Sequence, residues 1–113
     1  MRKIEALMIQ AVKNGRDWKS GNTSVDVTDH GIIIRLHGNK IAQIEPWDQV
    51  VYVTDAGWQT TTTKSRLNAL LAGLGNRGRI FQKDFVWHLE TGFDATETSI
   101  REMDHNGTYA VSL

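Results

Sequence analysis

The chain has 113 residues, 40% of them hydrophobic and 23% charged, with 13 basic and 13 acidic side chains and no cysteine. That length supports one domain with its own core and leaves no room for two, and the composition argues against wholesale disorder. The missing cysteine excludes a disulfide framework, a thiolate metal site and a cysteine nucleophile, and no apolar run approaches the roughly 18 residues of a membrane span.

Met1-Arg-Lys-Ile-Glu-Ala-Leu7 starts with basic residues but leads into neither an uncharged apolar segment nor a small-residue cleavage site. No signal peptide is expected, and the expected location is the cytoplasm, of a cell or of an infected host. From Ile4 to Asn14 the apolar residues Ile4, Leu7, Met8, Ala11 and Val12 recur at helical spacing, with Arg2, Glu5, Gln10 and Lys13 elsewhere on the wheel. Asn14-Gly15 ends this helix, since glycine tolerates the left-handed position past a helix end. Arg16-Asp-Trp-Lys-Ser-Gly-Asn-Thr23 follows as a polar loop. There Trp18, between Arg16 and Lys19, either stacks on a base while the cations hold phosphate or covers the end of the helix.

Strands come next. Ser24-Val-Asp-Val-Thr28 alternates, with Val25 and Val27 on one face. Gly31–His37 and Lys40–Glu45 form a hairpin. A three-residue loop, His37 to Asn39, pairs Leu36 with Lys40, Ile34 with Ala42 and Ile32 with Ile44, which makes one face mostly apolar. Asn39 is then the left-handed residue. Glu45-Pro-Trp-Asp48 turns the chain into a β-branched strand, Gln49–Thr54, expected at the centre of the sheet.

Asp55-Ala-Gly57 turns it again, and Trp58-Gln-Thr-Thr-Thr-Thr-Lys-Ser-Arg66 leads into the most distinctive element. Leu67, Leu70, Leu71 and Leu74 stand at i, i+3, i+4 and i+7, the stripe of an amphipathic helix over about 63–74. Thr62 or Thr63 is its expected N-cap, and Gly75 its stop. Free N–H groups, hydroxyls and the cations Lys64 and Arg66 at a helix start suit a phosphate. The alternative is that the threonines only cap the helix and span the turn. There is no GxxxxGK[ST], so this is no Walker loop.

Beyond the helix, Gly75-Asn-Arg-Gly-Arg79 is a basic glycine loop, and Ile80–Leu89 reads as one strand broken or bulged near Lys83-Asp84, with Phe85, Trp87 and Leu89 on one face. Ser99–Met103 and Thr108–Ser112 flank His105-Asn-Gly107, a type I′ signal for a C-terminal hairpin within 92–113. Charge is uneven: Lys64 to Lys83 carries five basic residues and no acidic one, whereas Asp84 to the end carries six acidic residues and one basic. A neutral chain can thus present a positive face, unless the acidic tail folds back on the basic stretch. The four histidines lack metal-ligand spacing and no Ser-His-Asp order is present. No catalytic constellation, metal site or cofactor is expected.

Leu36-His-Gly-Asn-Lys-Ile-Ala42, Gly57-Trp-Gln-Thr-Thr-Thr-Thr-Lys-Ser-Arg-Leu-Asn-Ala-Leu-Leu71 and Phe81-Gln-Lys83 with Trp87 resemble a family of small phage proteins found in podovirus-like and marine phage genomes. Lys3-Ile-Glu, Met8-Ile, Ala11-Val-Lys13 and Ser20-Gly-Asn-Thr23 resemble the same family's opening, so the likeness spans about residues 2 to 90. It implies a viral origin, supplies no activity, and adds weight to Thr62, Thr63, Lys64, Ser65, Arg66 and Asn68.

The expected fold is therefore a single α+β domain. It has an N-terminal helix, an antiparallel sheet of about four to six strands, one helix packed on its face, and closing strands. The expected function is that of a non-enzymatic phage accessory protein binding nucleic acid or a nucleotide. Thr62, Thr63, Lys64, Ser65, Arg66 and Asn68 would hold phosphate, Arg77, Arg79 and Lys83 would extend the basic surface, and Trp18 or Trp58 would stack. The rival reading is an inhibitor of a host enzyme or defence system that makes contact through its tryptophans and acidic tail.

Overall fold

A computed structural model describes residues 1–91 and 99–113. The helix α1 (Lys3–Lys13) leads into five strands: β1 (Trp18–Ser20), β2 (Thr23–Thr28), β3 (Gly31–Leu36), β4 (Asn39–Glu45) and β5 (Val50–Thr54). The helix α2 (Thr61–Gly73) follows, then β6 (Arg79–Lys83), β7 (Val86–Thr91), β8 (Ser99–Glu102) and β9 (Thr108–Ser112). A six-stranded sheet has the order β1-β2-β3-β4-β5-β9, a three-stranded sheet the order β6-β7-β8, and every pairing is antiparallel. The expected α+β architecture is the one found. Among the described residues no helix is long and apolar enough to cross a membrane.

One core joins the layers. Val25, Ile34, Ile41, Val51 and Val53 point from the large sheet to Met8, Ala11 and Val12 of α1 and to Leu67, Leu70 and Leu71 of α2. Ile80, Trp87 and Leu89 close it from the small sheet. Each of these large side chains contributes about 1.5–3 kcal/mol by leaving water. The helices touch directly, and Gly73 shows how closely: a Cβ there would sit 2.6 Å from Ile9 Cδ1.

Helix α1 is rotated from the expected orientation. Its buried face is Glu5, Met8, Ile9, Ala11 and Val12, while Leu7 is exposed. A carboxylate has displaced a leucine from the inner face, and the partners that make this possible are described with the site below. Helix α2 begins two residues before the expected 63. Its N-cap is Thr60, whose Oγ1 accepts from the Thr63 N–H at 3.1 Å, rather than Thr62 or Thr63. Of its leucine stripe, Leu67, Leu70 and Leu71 are fully buried and Leu74 half so.

The β3–β4 hairpin keeps the expected apolar face but with a shorter loop. Ile34 pairs with Ala42 and Ile32 with Ile44, as the apolar face requires, but Leu36 pairs with Asn39 and Arg35 with Lys40. The loop is thus two residues, His37 (φ 52°) and Gly38 (φ 80°), and these rather than Asn39 take the left-handed conformations. The register shift is absorbed by Ile41, which has no partner across the ladder and is buried. A tight I′-like turn matches strand twist, and the bulge restores the inward face beyond it.

Two further expectations are corrected. Residues 80–89 are not one interrupted strand: the chain reverses at Asp84 (φ 53°) and Phe85 (φ 66°), and β6 pairs back onto β7 with Lys83 opposite Val86. Trp87 and Leu89 face the core, whereas Phe85 sits at the tip, 92% exposed. The C-terminal strands likewise do not form a hairpin with each other. Strand β8 adds to β7 and β9 to β5, so the turn closed by the Gly107 N–H to Asp104 carbonyl bond (3.0 Å) carries the chain from one sheet to the other. Burial of Met103 and Val111 on either side holds that crossover. The part of the expected tail at 92–98 lies outside the described residues.

A phenylalanine in the left-handed region carries a penalty of about 1–2 kcal/mol that glycine avoids. Phe85 has no packing to lose, so Phe85→Gly is expected to stabilise the fold by about 1 kcal/mol and to raise Tm by about 4 °C, as read by calorimetry.

Candidate functional site

The polar start of α2 divides into two sets of side chains that face different ways. Arg66 points inward and is 4% exposed. Its Nη1 donates to Glu5 Oε2 at 2.7 Å, its Nε to Thr23 Oγ1 at 3.0 Å and its Nη2 to Asn22 Oδ1 at 3.5 Å. Ser65 Oγ donates to the same Glu5 oxygen at 2.6 Å, and Glu5 Oε1 accepts from the backbone N–H of Arg2 at 3.2 Å. Two helices and the β1–β2 turn are thereby tied at one buried charge pair. Ser65 and Arg66, expected to hold phosphate, are occupied by Glu5 instead.

Burial by itself would raise the Glu5 carboxyl. Hydrogen bonds from Ser65, Arg66 and the Arg2 backbone, with the Arg66 charge, outweigh it and hold the group below its ordinary value.

Asn68 is also structural. Its Oδ1 accepts from Ile80 N at 2.7 Å and its Nδ2 donates to Ile80 O at 2.9 Å, so its amide serves as a strand-like partner for β6. Thr63 is buried, its Oγ1 2.9 Å from Thr60 Oγ1. Arg77 lies past the far end of α2, about 20 Å from Thr61 at 1.5 Å per helical residue. Arg79 pairs with Glu90 at 3.1 Å and lies 4.7 Å over the Phe81 ring, so residues from the acidic half do neutralise part of the basic stretch. Lys64, Arg77 and Lys83 make no ion pair with a described residue, but they are not gathered into one patch. Trp18 is half-buried against the core beside Val25, which matches the covering role better than the stacking one.

The second set, Thr60, Thr62 and Thr63, faces a cleft of about 390 Å³, within the range of small-molecule sites. Leu36 and Ile41 line it from the β3–β4 hairpin with His37 and Asn39, while Asp55, Ala56 and Trp58 line it from the turn before α2. Trp58 is 64% exposed. Among the described residues the N–H groups of Thr61 and Thr62 have no protein acceptor, whereas those of Thr63 and Lys64 bond to Thr60. A wider trough of about 680 Å³ runs over β1, β2 and β3. Its central charges, Asp26 and Arg35, pair with one another at 3.0 Å.

Asp55 organises the turn beneath Trp58. Its Oδ1 accepts from Gly57 N at 2.7 Å and from Asn106 N at 2.9 Å, joining this turn to the β8–β9 crossover. Gly57 has φ 88°, and a Cβ there would stand 2.9 Å from Asn106 Oδ1. Oδ2 is buried without a hydrogen-bond partner, 3.9 Å from His105 Nδ1.

Sequence reasoning missed Glu5, Asn22, Thr23 and Asp55. A signal for Glu5 existed: Glu5, Met8, Ile9 and Val12 also stand at i, i+3, i+4 and i+7, and this stripe takes in Ile9, which the other omits. Among the described residues no cluster of three or more histidine and acidic side chains could hold a metal ion.

The family model described as "Kyanoviridae Gp96 protein" matches residues 1–111. The chain therefore belongs to that family, a cyanophage protein family. No curated protein and no solved structure matches it.

The lowered Glu5 pKa has a pH signature. Because the folded carboxyl is more acidic than the unfolded one, its contribution to stability is present above about pH 4.3, the ordinary Glu value, and is lost as pH falls through the folded value. Urea denaturation from pH 7 to 3 is expected to show falling stability at the acid end. Glu5→Gln is expected to lower stability at pH 7 and to make the profile less steep below pH 4.5 or so.

Proposed function

We propose that this phage protein is a non-enzymatic binding module that takes an anionic ligand carrying a flat ring, a nucleotide or the end of a nucleic-acid strand, in the cleft at the start of α2. The observation that carries the reading is Trp58, exposed on the wall of a cleft also lined by Thr62, whose amide has no acceptor among the described residues. An indole face offers stacking that tolerates any base. A helix N-terminus offers unpaired N–H groups and the positive end of the dipole to a phosphate. Lys64, two positions past Thr62, adds a cation. Leu36 and Ile41 give the ring an apolar floor.

This narrows the site expected from sequence. Thr62 and Lys64 stay in it with Trp58, and Thr60 joins them. Thr63 contributes as part of the cap. Ser65, Arg66 and Asn68 support the fold. Arg77, Arg79 and Lys83 would be contacted only by a strand that continues past the cleft. The setting is the interior of the infected cell, where nucleotides and strands are plentiful.

The second reading, contact with a host enzyme or defence protein, draws on Phe85. An apolar ring 92% exposed at a hairpin tip has the form of an interface anchor.

Titration with mononucleotides and short single strands, followed by tryptophan fluorescence at low salt, separates the two. The nucleotide reading expects saturable quenching that is abolished by Trp58→Ala and weakened by added salt. No quenching and no change in Tm with any of these ligands would overturn it.

A further inference from the structure

We infer that the outer edge of β9 pairs with the same edge of a second copy of this chain, joining two six-stranded sheets into one. Four strands stand at sheet edges, β1 and β9 in the large sheet and β6 and β8 in the small one. An open edge invites pairing with another chain, and native proteins guard such edges by shortness, charge, proline or a covering element. Strand β1 has only three residues and carries Lys19. Strand β6 carries Arg79 and Lys83, and the Asn68 amide occupies both the N–H and the carbonyl of Ile80. Strand β8 carries Arg101 and Glu102. Strand β9, Thr108-Tyr-Ala-Val-Ser112, has none of these guards in its own sequence: five residues, no charge and no proline. Among the described residues the strand paired with it is β5 alone.

The backbone of that edge is set for a partner. The Leu113 N–H donates to the Gln49 carbonyl at 2.8 Å, while the Ser112 carbonyl accepts from Asn76 Nδ2, also at 2.8 Å. Backbone groups alternate in direction along an antiparallel strand. Tyr109 and Val111 therefore bond to β5, and Thr108, Ala110 and Ser112 turn their N–H and carbonyl groups outward. A space of about 470 Å³ adjoins Ala110, Val111 and Ser112, and Asn76, whose bond to Ser112 marks the outward side, lines it too.

The strand is also complementary to itself. About a two-fold axis through Ala110 and perpendicular to the sheet, Ala110 faces Ala110 of the copy, Thr108 faces Ser112, and Tyr109 faces Val111. Every outward-bonding residue then meets an outward-bonding one, and the Ser112 carbonyl keeps a second lone pair for the copy. Side chains keep their faces as well. Val111 is buried and Tyr109 packs against the core, whereas Thr108, Ala110 and Ser112 are exposed. A slip of one residue would set the apolar face against the polar one. An aromatic ring opposite a β-branched side chain, and hydroxyl opposite hydroxyl, are favourable cross-strand pairs. No like charges meet. An interface in which one patch serves both chains is the usual form of a two-fold dimer.

The test is sedimentation equilibrium of the full chain over a range of concentration. The wild type is expected to form a species of twice its 12.7 kDa mass that dissociates on dilution. Ala110→Lys, on the exposed face, sets two like charges opposite one another at the axis. Ala110→Pro removes the N–H that the copy would use and leaves the bonds to β5. Both variants are expected to be folded monomers by circular dichroism and sedimentation. The chain has no cysteine, so cross-linking reads the register. Ala110→Cys is expected to link to its copy on mild oxidation, because facing residues of a hydrogen-bonded pair stand about 5.5 Å apart at Cα. Thr108→Cys, which faces Ser112 instead, is expected not to link. A wild-type chain that stays monomeric throughout overturns the inference. So does a dimer that survives in folded Ala110→Lys, or one that Thr108→Cys links as readily as Ala110→Cys. Should Ala110→Pro not fold, Ala110→Lys decides with the cross-linking pair.

Discussion

The structure depends on one buried charge pair. Glu5 and Arg66 are 61 positions apart in sequence, yet they meet at 2.7 Å in a place where each is almost wholly removed from water. A buried ion pair gives little net stability, since desolvation offsets the attraction, but either partner alone would be an uncompensated buried charge. What the pair supplies is orientation. With Ser65, Thr23, Asn22 and the Arg2 backbone around it, it fixes the rotation of α1 so that Glu5 faces in and Leu7 faces out. It sets the depth of α2 against the β1–β2 turn, with Thr60, Thr62 and Thr63 left lining the cleft.

This division gives the long polar signature at the helix start two roles. Thr62 and Thr63 line the cleft, while Arg66 turns from it to the Glu5 network. Asn68 reaches a third surface, the backbone of β6. A run that looks like one binding motif in sequence is therefore one cleft wall, one buried network and one strand cap.

Much of the fold was legible in the sequence. The leucine stripe of α2, the inward pairs Ile34–Ala42 and Ile32–Ile44, and the β-branched run of β5 follow from side-chain periodicity, which the structure obeys. Where the reading departed, a particular interaction prevailed over a general preference. Glu5 was assigned to the surface because a carboxylate is rarely buried, and only the distant Arg66 makes it affordable. The reversal at Asp84-Phe85 was hidden because phenylalanine is a poor I′ turn residue. His105-Asn-Gly107 did signal a turn, but a turn residue does not specify which strands will pair beyond it, and here the flanking strands join different sheets. Of the residues proposed for the site, Thr62, Lys64 and Trp58 could be named from the sequence because a helix start and an indole have local chemistry. Asp55 could not, because its meaning comes from Asn106, about fifty positions later.

A double-mutant cycle on Glu5→Met and Arg66→Met, with stability measured by chemical denaturation at pH 7, tests the central claim most directly. The account predicts that each single substitution costs about 3–5 kcal/mol and that the double variant loses far less than their sum, because the second change removes the charge the first left unpaired. Additive losses, or single losses under about 1 kcal/mol as for a surface pair, would contradict it.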